Sequence, residues 1–201
     1  IRSGNNFLTR HGSNGSLQTF TVLNTISEIE SISSNGNFVL GSNIDARETI
    51  DWDNGKGYDP VYPFRGTFNG LGHIVDGLII NRPDNGYNGL FGALFDDATI
   101  SNIGVTNFYY NIGHYSGGLV GNAFDSSQVI NTFTSGFIYS STENANIASH
   151  VGDLDDSARL MNSFSFASAS GGGADELTDT PYQVGPWSNN YLRGYVNDVL
   201  A

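Results

Sequence analysis

The residues of this chain best suited to hold a metal ion lie in one acidic, glycine-rich loop with the sequence DWDNGKGYD. The loop places carboxylates at its first, third and ninth positions, Asp51, Asp53 and Asp59. Calcium prefers several carboxylate and carbonyl oxygens on a flexible turn, so these three aspartates are the predicted ligands of a calcium ion. Tyr62 stands where an EF-hand has its closing acidic residue, so the loop is not an EF-hand. The alternative is a solvated insertion whose Trp52 and Pro60 pack on the flank of the fold.

A second acidic set, Asp96, Asp125 and Asp156, recurs at one position after regularly spaced glycines. Carboxylates stacked on neighbouring strands, about 5 Å apart, can raise one another's pKa and serve as an acid or base, as in a polysaccharide lyase or hydrolase. Aspartate is also favoured in turns because it bonds to nearby backbone. The arginines of the repeats share no register that would neutralise an acidic substrate. We therefore expect no enzyme, and we keep a carbohydrate-active enzyme as the third reading.

A cluster of aromatic residues offers a contact surface for a ligand. Because side chains alternate along a strand, Tyr109 and Tyr115 are predicted to be exposed, while Phe108 and Tyr110 point inward. Exposed tyrosines are enriched at recognition surfaces, so Tyr109 and Tyr115 are the predicted ligand contacts. Ordinary packing on the flank is the alternative.

The histidines give no metal motif. His73, His114 and His150 occupy different positions relative to the repeated glycines, and no zinc-type spacing is present. We expect them to lie at the surface or in turns.

These residues are set within a repeat. Four glycines, at intervals of 26, 29 and 31 residues, are each followed ten residues later by Asp or Asn, with an aliphatic residue two before it. The four pairs are Gly66 and Asp76, Gly92 and Asn102, Gly121 and Asn131, and Gly152 and Asn162. A period in this range, with variable loops and fixed anchors, is typical of a solenoid. A solenoid is an elongated surface, which favours binding ahead of catalysis.

The segments between anchors are short, rich in Val, Ile and Phe, and bounded by Gly, Asn, Asp and Ser, which indicates strands and turns. The fold is therefore predicted to be all-β, a parallel β-helix with one narrow core. Aligned coils predict that Ile100 stacks on Val129 and Leu160, Gly104 on Phe133 and Phe164, Phe108 on Phe137, and Tyr110 on Tyr139. The Asp and Asn column should form a polar ladder at a corner.

The predicted coils cover residues 1–170. Residues 171–201 lose the repeat and are predicted to form an irregular loop followed by a terminal coil or cap. Corner loops 47–63 and 171–186 are the predicted source of binding specificity.

Composition limits the partners. A net charge of −12, with only eight Lys and Arg, argues against nucleic acid. There is no apolar run of about 18 residues that could span a membrane. Cysteine is absent, which excludes disulfides and thiolate metal sites.

Specific strings resemble a known family. FVLGSNIDA at residues 38–46, FRGTFNGLGHIVDGL at 64–78, GLFG at 89–92 and GLVG at 118–121 are similar to the GLUG-type repeats of filamentous-haemagglutinin-like, two-partner-secreted exoproteins. The resemblance covers roughly residues 17–170. It implies a right-handed parallel β-helix, a dedicated outer-membrane secretion partner, and a secreted or bacterial cell-surface location.

The sequence therefore predicts an adhesin-type binding module that contacts a host protein or glycan through its corner loops. A structural spacer within a long exoprotein fibre is the second reading. The predicted cofactors are none, apart from the calcium ion of the acidic loop.

Overall fold

The structure is a computed structural model that describes residues 2–10, 14–142, 145–155, 157–171 and 191–192. It confirms the predicted fold class, an all-β parallel solenoid. The strands are β1 (Asn6–Arg10), β2 (Leu17–Leu23), β3 (Asn37–Leu40), β4 (Ile44–Asp45), β5 (Thr67–Asn69), β6 (Ile74–Asp76), β7 (Ile79–Arg82), β8 (Phe91–Leu94), β9 (Thr99–Ser101), β10 (Gly104–Ile112), β11 (Ser116–Gly117), β12 (Val120–Ala123), β13 (Gln128–Ile130), β14 (Phe133–Ser140), β15 (Ile147–Ala148), β16 (Val151–Leu154), β17 (Arg159–Met161), β18 (Phe164–Ser165), β19 (Ser168–Gly171) and β20 (Tyr191–Leu192).

The strands stack into three main sheets that run along the solenoid. Sheet A has the order β1-β2-β3-β5-β9-β13-β17, and all its pairs are parallel except the antiparallel pair β1 and β2. Sheet B has the order β20-β18-β14-β10-β6-β4, with β7 beside β10 and β19 beside β14. Sheet C is β16-β12-β8, and β11 pairs with β15. Parallel pairing between successive coils gives the backbone groups of each strand partners in the coils above and below.

One continuous apolar core fills the space between the sheets. Phe64, Phe68 and Phe91 are fully buried, with ring centroids 5.1 Å apart between Phe91 and each of the other two. The predicted stacking of Ile100 on Val129 and Leu160 is confirmed, as is that of Gly104 on Phe133 and Phe164. The core therefore consists of residues that repeat once per coil.

The predicted register is wrong in the second half of β10. A bulge at Asn107, whose φ is +52°, shifts the pairing by one residue, so Phe108 lies beside Gly136, Tyr109 beside Phe137, and Tyr110 beside Ile138. A bulge adds one residue to one strand only, which an alignment of equal spacings cannot detect. The predicted pairs of Phe108 with Phe137 and of Tyr110 with Tyr139 are thus corrected. Phe108 and Tyr110 are nevertheless buried, as predicted.

The polar corner ladder is confirmed for its asparagines. The Asn131 Nδ2 donates to Asn102 Oδ1 at 3.2 Å, and the Asn102 Nδ2 donates to Asn69 Oδ1 at 3.1 Å. Asn102, Asn131 and Asn162 all have left-handed backbone, which asparagine tolerates better than most residues. Asn69 ends this series of amide hydrogen bonds, although it pairs with Ser101 and does not lie in the asparagine column.

The assignment of Gly66 and Asp76 to the repeat columns is wrong. Thr67 pairs with Thr99, which places Gly66 level with Ala98 and not with Gly92. Asp76 belongs to sheet B, where its Oδ1 accepts hydrogen bonds from Thr106 and Asn107. The first glycine interval of 26 residues matches the others only by coincidence.

Two short helical segments interrupt the strands. Helix α1 (Ile26–Glu30) begins at Thr25 with a capping box that Glu28 completes, and it buries Ile26 and Ile29 in the core. A 3₁₀ segment, Arg47–Gly55, lies between β4 and β5. Within the described residues, no helix has the length and apolar character needed to cross a bilayer.

Candidate functional site

The insertion between β4 and β5 forms one wall of a groove on the flank of the solenoid. Backbone bonds hold the insertion against β7, from Tyr58 N–H to the Ile79 carbonyl at 2.9 Å and from Asn81 N–H to the Lys56 carbonyl at 2.8 Å. The cavity measures about 800 Å³. We call it the corner groove, and its side chains of chemical interest are Glu30, Trp52, Asp53, Asp59, Tyr62 and Arg82.

A buried arginine organises the floor of the corner groove. The Arg82 side chain is 8% exposed and donates to the Tyr58 carbonyl at 3.0 Å and the Gly57 carbonyl at 3.2 Å. Its guanidinium also contacts the Asp53 carboxylate at 3.2 Å and that of Asp59 at 3.8 Å. Because a buried cation needs compensating charge, these two aspartates fix Arg82 and thereby the shape of the groove.

This arrangement bears on the predicted calcium ligands. Asp53 and Asp59 both face the guanidinium of Arg82, and Asp53 also pairs with Lys56 at 3.6 Å, while Asp51 is exposed. Among the described residues, no group of three or more acidic or histidine side chains converges as a metal site. The alternative interpretation of the loop, a solvated insertion, predicts that Trp52 packs on the flank of the fold. This packing is confirmed, since the Trp52 side chain is partly buried against the core. Calcium binding at Asp51, Asp53 and Asp59 stays a prediction.

Beside the groove, three tyrosines from successive coils stack on one another. The ring centroids of Tyr62 and Tyr87 are 5.4 Å apart, and those of Tyr87 and Tyr115 are 5.2 Å apart, with interplanar angles of 17° and 14°. Phe95 and Phe124 form a second stack at 4.7 Å. The Tyr62 ring contacts Phe95, and the Tyr87 ring contacts Phe124. We call the first three residues the tyrosine stack; Tyr62 also lines the corner groove, so the two features are continuous.

The glycine column of the repeat is what allows the tyrosine stack to form. Gly121 lies so close to the preceding corner that a Cβ on it would be 2.5 Å from the Tyr115 carbonyl and 2.4 Å from that of Gly92. A Cβ on Gly92 would be 2.6 Å from the Tyr87 carbonyl. The missing side chains therefore let each tyrosine-bearing corner lie directly on sheet C.

The backbone of this stack is strained. Tyr87 has a φ of +61° and Tyr115 a φ of +48°, and the parallel bridge between Asn88 and Ser116 places them at equivalent positions. The left-handed conformation costs a non-glycine residue about 1–2 kcal/mol. Asparagine or glycine would adopt it more easily, so the two rings are held there against a local preference.

Charged side chains flank the aromatic rings on this side of the solenoid. Arg65 lies over the Phe95 ring at 5.0 Å and pairs with Asp96 at 3.0 Å. On the C-terminal side, partial burial and then the neighbouring Asp155 carboxylate raise the pKa of Asp153 above its usual value. Burial, followed by the other two tyrosines and by Asp153 and Asp155, raises the pKa of Tyr87. This end of the flank thus has a negative potential.

The two tyrosines predicted as ligand contacts lie on different surfaces. Tyr115 is half-buried in the tyrosine stack. Tyr109 is 52% exposed, as predicted, but it lies on the outer face of sheet B, where it stacks on Phe137 at 5.6 Å. The structure therefore assigns only Tyr115 to the flank beside the corner groove.

Two of the three aspartates of the predicted acidic column, Asp96 and Asp125, lie in the described part of the chain. The Asp125 carboxylate accepts a hydrogen bond from the Asp96 N–H at 2.9 Å, and both residues have left-handed backbone, as expected for turn aspartates. Asp156 lies outside the described residues, as does most of the predicted terminal segment 171–201. The absence of enzyme activity stays a prediction.

One histidine departs from expectation. His114 is exposed and His73 is half-buried, but His150 is fully buried, so its prediction as a surface or turn residue is wrong. His150 occupies in its coil the position that Leu90 and Leu119 occupy in the two preceding coils. Like those leucines, it is fully buried. The comparison of these three positions in the sequence would have placed it in the core.

Sequence reasoning also missed most of the aromatic flank. Phe95 and Phe124 each lie three residues after a coil glycine, and Tyr87 and Tyr115 lie five and six residues before the same glycines. The aromatic positions are thus visible as a secondary repeat. Tyr62 carries no such signal, because its coil has no glycine at that position.

Comparison with known proteins supports a coarse assignment. No family model and no solved structure matches the chain. The chain is similar to halomucin from Haloquadratum walsbyi, 28% identical over 171 residues, which are 81% of this chain and 2% of halomucin. It is also similar to a protein from Evansella cellulosilytica described as a Gly-rich membrane protein, 33% identical over 79 residues, 37% of this chain and 9% of that protein.

The chain thus spans only a small part of the length of these relatives. The solenoid fold and the likeness to halomucin are compatible with a surface-exposed or structural module. The resemblance to filamentous-haemagglutinin-like exoproteins, with its secretion partner, stays a prediction.

Proposed function

We propose that this chain is a β-solenoid module of a longer surface protein and that it binds a partner protein or glycan along the flank formed by the corner groove and the tyrosine stack. The observation that carries this proposal is the pair of left-handed tyrosines, Tyr87 and Tyr115, stacked beside the groove. Strained residues that the rest of the fold over-determines are typical of functional sites.

The shape and chemistry of the flank support binding. The corner groove has the size of a ligand site, and it combines the partly exposed rings of Trp52 and Tyr62 with the carboxylates of Asp53 and Asp59. The backbone groups of the strands are used in pairing between coils, so specificity has to come from side chains at the corners. The names of the two relatives, a mucin-type name and a membrane-protein name, support a location at the cell surface.

The experiment is a binding screen with matched variants. The purified chain is immobilised and exposed to matrix proteins, serum proteins, and neutral and acidic glycans, with and without calcium. We expect saturable binding of at least one partner, weakened by Tyr115→Gly and Trp52→Ala. Glycine suits the left-handed backbone at position 115, so the first variant removes the ring and keeps the turn. Tyr109→Ala on sheet B is the matched control and should bind like the parent chain.

A structural spacer is the second candidate function. It is favoured by the coverage of halomucin, since a chain that matches 2% of a very long protein is a small part of its relative. Absence of saturable binding across the screen would contradict the binding proposal and leave the spacer. Shortening of a glycan during the same incubation would instead point to the column of Asp96 and Asp125.

A further inference from the structure

The floor of the corner groove holds a hydrogen-bond donor that the fold leaves unused. Arg82 lines the groove, and its side chain is 8% exposed. Its Nε donates to the Tyr58 carbonyl, and its Nη2 donates to the Gly57 carbonyl and contacts the Asp53 carboxylate. Within the described part of the chain Nη1 donates to no acceptor, and it is not enclosed. The N–H groups of Nη1 are therefore free to bond a ligand in the groove.

Two carboxylates of the same groove have acceptor oxygens to spare. The Asp59 side chain is 68% exposed, and its Oδ1 lies 3.8 Å from Arg82 Nε, too far for a hydrogen bond. Glu30, the last residue of α1, accepts the Asp59 N–H on Oε1 at 2.9 Å. Its Oε2 accepts no hydrogen bond from the described residues. The groove thus combines a free N–H donor with free carboxylate acceptors.

Two aromatic rings complete the lining of the groove. Trp52 is partly buried against the core, and the Tyr62 side chain is 56% exposed. Tyr62 is held by its stack on Tyr87 and by an edge contact with Phe95 at 6.2 Å. Such rings offer flat, ordered apolar surface on which the C–H face of a sugar ring can lie, while the hydroxyls of the sugar point to the polar groups.

A hydroxyl group is the ligand chemistry that satisfies both kinds of polar group. Its oxygen can accept from Arg82 Nη1 while its O–H donates to a carboxylate. A ligand anion could accept from Nη1, but it would also face Glu30, Asp53 and Asp59 in a chain of net charge −12. A ligand ammonium has no acceptor for Nη1 and would lie against the guanidinium. The charges of the groove therefore favour a neutral ligand.

We propose that the corner groove binds a neutral glycan, whose hydroxyls accept from Arg82 Nη1 and donate to the carboxylates of Asp59 and Glu30. A sugar carries several hydroxyls close together, so that neighbouring ones can reach both carboxylates at once. This inference rests on the proposed function, because it names the class of partner that the flank receives, and it selects a glycan over a protein. The cavity of about 800 Å³ falls within the size range of ligand pockets.

The test uses neutral tetrasaccharides of defined composition: cellotetraose, mannotetraose, galactotetraose and N-acetylated chitotetraose. Tetragalacturonic acid is their acidic counterpart. Each is titrated into the isotope-labelled chain in a buffer that contains EDTA, and NMR follows the Trp52 indole N–H and the Arg82 Nε–H signals. We expect saturable shifts of both signals with at least one neutral tetrasaccharide, and much weaker binding of the acid.

Matched variants assign the binding to the groove. Asp59→Asn should weaken it about tenfold, because hydrogen bonds to a charged group are stronger than those to an amide. Asp51→Asn makes the same change in the same insertion, outside the groove lining, and should bind like the parent chain. Glu30→Gln keeps an oxygen for the Asp59 N–H and should also weaken binding, so it serves as the second variant if Asp59→Asn does not fold. Urea unfolding checks the fold of each variant.

The outcomes separate this inference from the proposed function. Absence of saturable shifts with every neutral tetrasaccharide, or unchanged binding in the folded variants at Asp59 and Glu30, would overturn the glycan assignment. Tighter binding of tetragalacturonic acid, or binding that requires calcium, would overturn the direct recognition of neutral hydroxyls. A partner protein that is weakened by Tyr115→Gly and indifferent to Asp59→Asn would keep the binding flank while overturning the glycan site. A neutral tetrasaccharide that loses affinity in Asp59→Asn but not in Asp51→Asn would support both.

Discussion

Acidification is expected to destabilise the solenoid through His150, the buried histidine of the last described coil. Its Nε2 lies 2.7 Å from Thr132 Oγ1 and its Nδ1 lies 3.1 Å from Thr134 Oγ1. Both threonine hydroxyls also contact serines, Ser163 and Ser165, so the ring is surrounded by neutral groups. Within the described part of the chain, both ring nitrogens face hydroxyl groups and no carboxylate pairs with them to stabilise the protonated form.

Burial lowers the pKa of His150 from an ordinary value of 6.5 to about 4. The unfolded chain therefore binds a proton more readily than the folded chain between these two values. The contribution of the neutral His150 ring to the free energy of unfolding is therefore fully present above pH 6.5 and is lost as the pH falls towards 4. The expected loss from this one group is about 2 kcal/mol at pH 5 and about 3 kcal/mol below pH 4.

The variant His150→Leu isolates the effect. The two preceding coils have Leu90 and Leu119 at this position, both fully buried, so leucine fits the column. Urea unfolding at pH 7, 6 and 5 and constant ionic strength should show the variant gaining about 2 kcal/mol on the parent chain between pH 7 and 5. His114→Gln, at an exposed histidine, should follow the parent. Subtracting the unfolding free energy of the parent chain from that of the variant at each pH cancels the contribution of the carboxylates. Where a carboxylate has a raised pKa in the folded state, as at Asp153, its contribution to the pH dependence of stability has the opposite sign to that of His150.

An identical pH dependence in the parent chain and in His150→Leu would refute this reasoning. NMR titration of the His150 ring gives an independent measurement. A midpoint near 6.5 would show that the ring is hydrated in solution and that its hydroxyl partners do not exclude water.

Three further predictions follow from packing and charge. Gly121→Ala should destabilise the chain by about 1–3 kcal/mol in urea unfolding, because its Cβ would collide with the Gly92 and Tyr115 carbonyls. Gly86→Ala is the control and should have little effect, since the atom nearest to its Cβ would be 3.9 Å away. Arg82→Met should lower stability by about 1–3 kcal/mol, since it leaves two carbonyls and the Asp59 carboxylate at the floor of the corner groove without their donor and leaves Asp53 paired with Lys56 alone; an unchanged unfolding midpoint would contradict this role. Sodium chloride up to 1 M should raise the melting temperature by about 2–4 °C through screening of the net charge of −12, and a fall in calorimetry would show that the surface ion pairs outweigh the repulsion.

The sequence predicts the architecture well where one residue type recurs at one place in each coil. Ile100, Val129 and Leu160 lie in one column because short apolar runs between glycines leave the strands little freedom of register. The prediction fails where the chain changes length within a coil. The bulge at Asn107 adds one residue, and the insertion between β4 and β5 displaces Gly66 from the glycine column. Equal spacing in the sequence is then no guide to neighbours in space.

The candidate site is less predictable, for a related reason. Tyr87 and Tyr115 recur in the sequence relative to the coil glycines, but Tyr62 gives no such signal, and only the structure shows that the three rings stack. The sequence shows that the loop is rich in carboxylates, but the counter-ion of Asp53 and Asp59 is Arg82 of β7, which is distant in the sequence. Pairing of that kind depends on the coil register and cannot be derived from local composition.

The fold and the proposed binding function are coupled at the glycine column. A side chain at Gly92 or Gly121 would separate sheet C from the corners that carry Tyr87 and Tyr115, so the feature that closes each coil also sets the spacing of the rings. Ring planes within 17° of parallel at this spacing leave little room for rotation, and the left-handed backbone restricts the tyrosines further. Ordering these side chains during folding removes an entropic cost that a flexible surface would meet on binding. On the proposed function, a flank built in this way binds its partner through few contacts, and loss of a single ring should weaken that binding more than the lost area alone predicts.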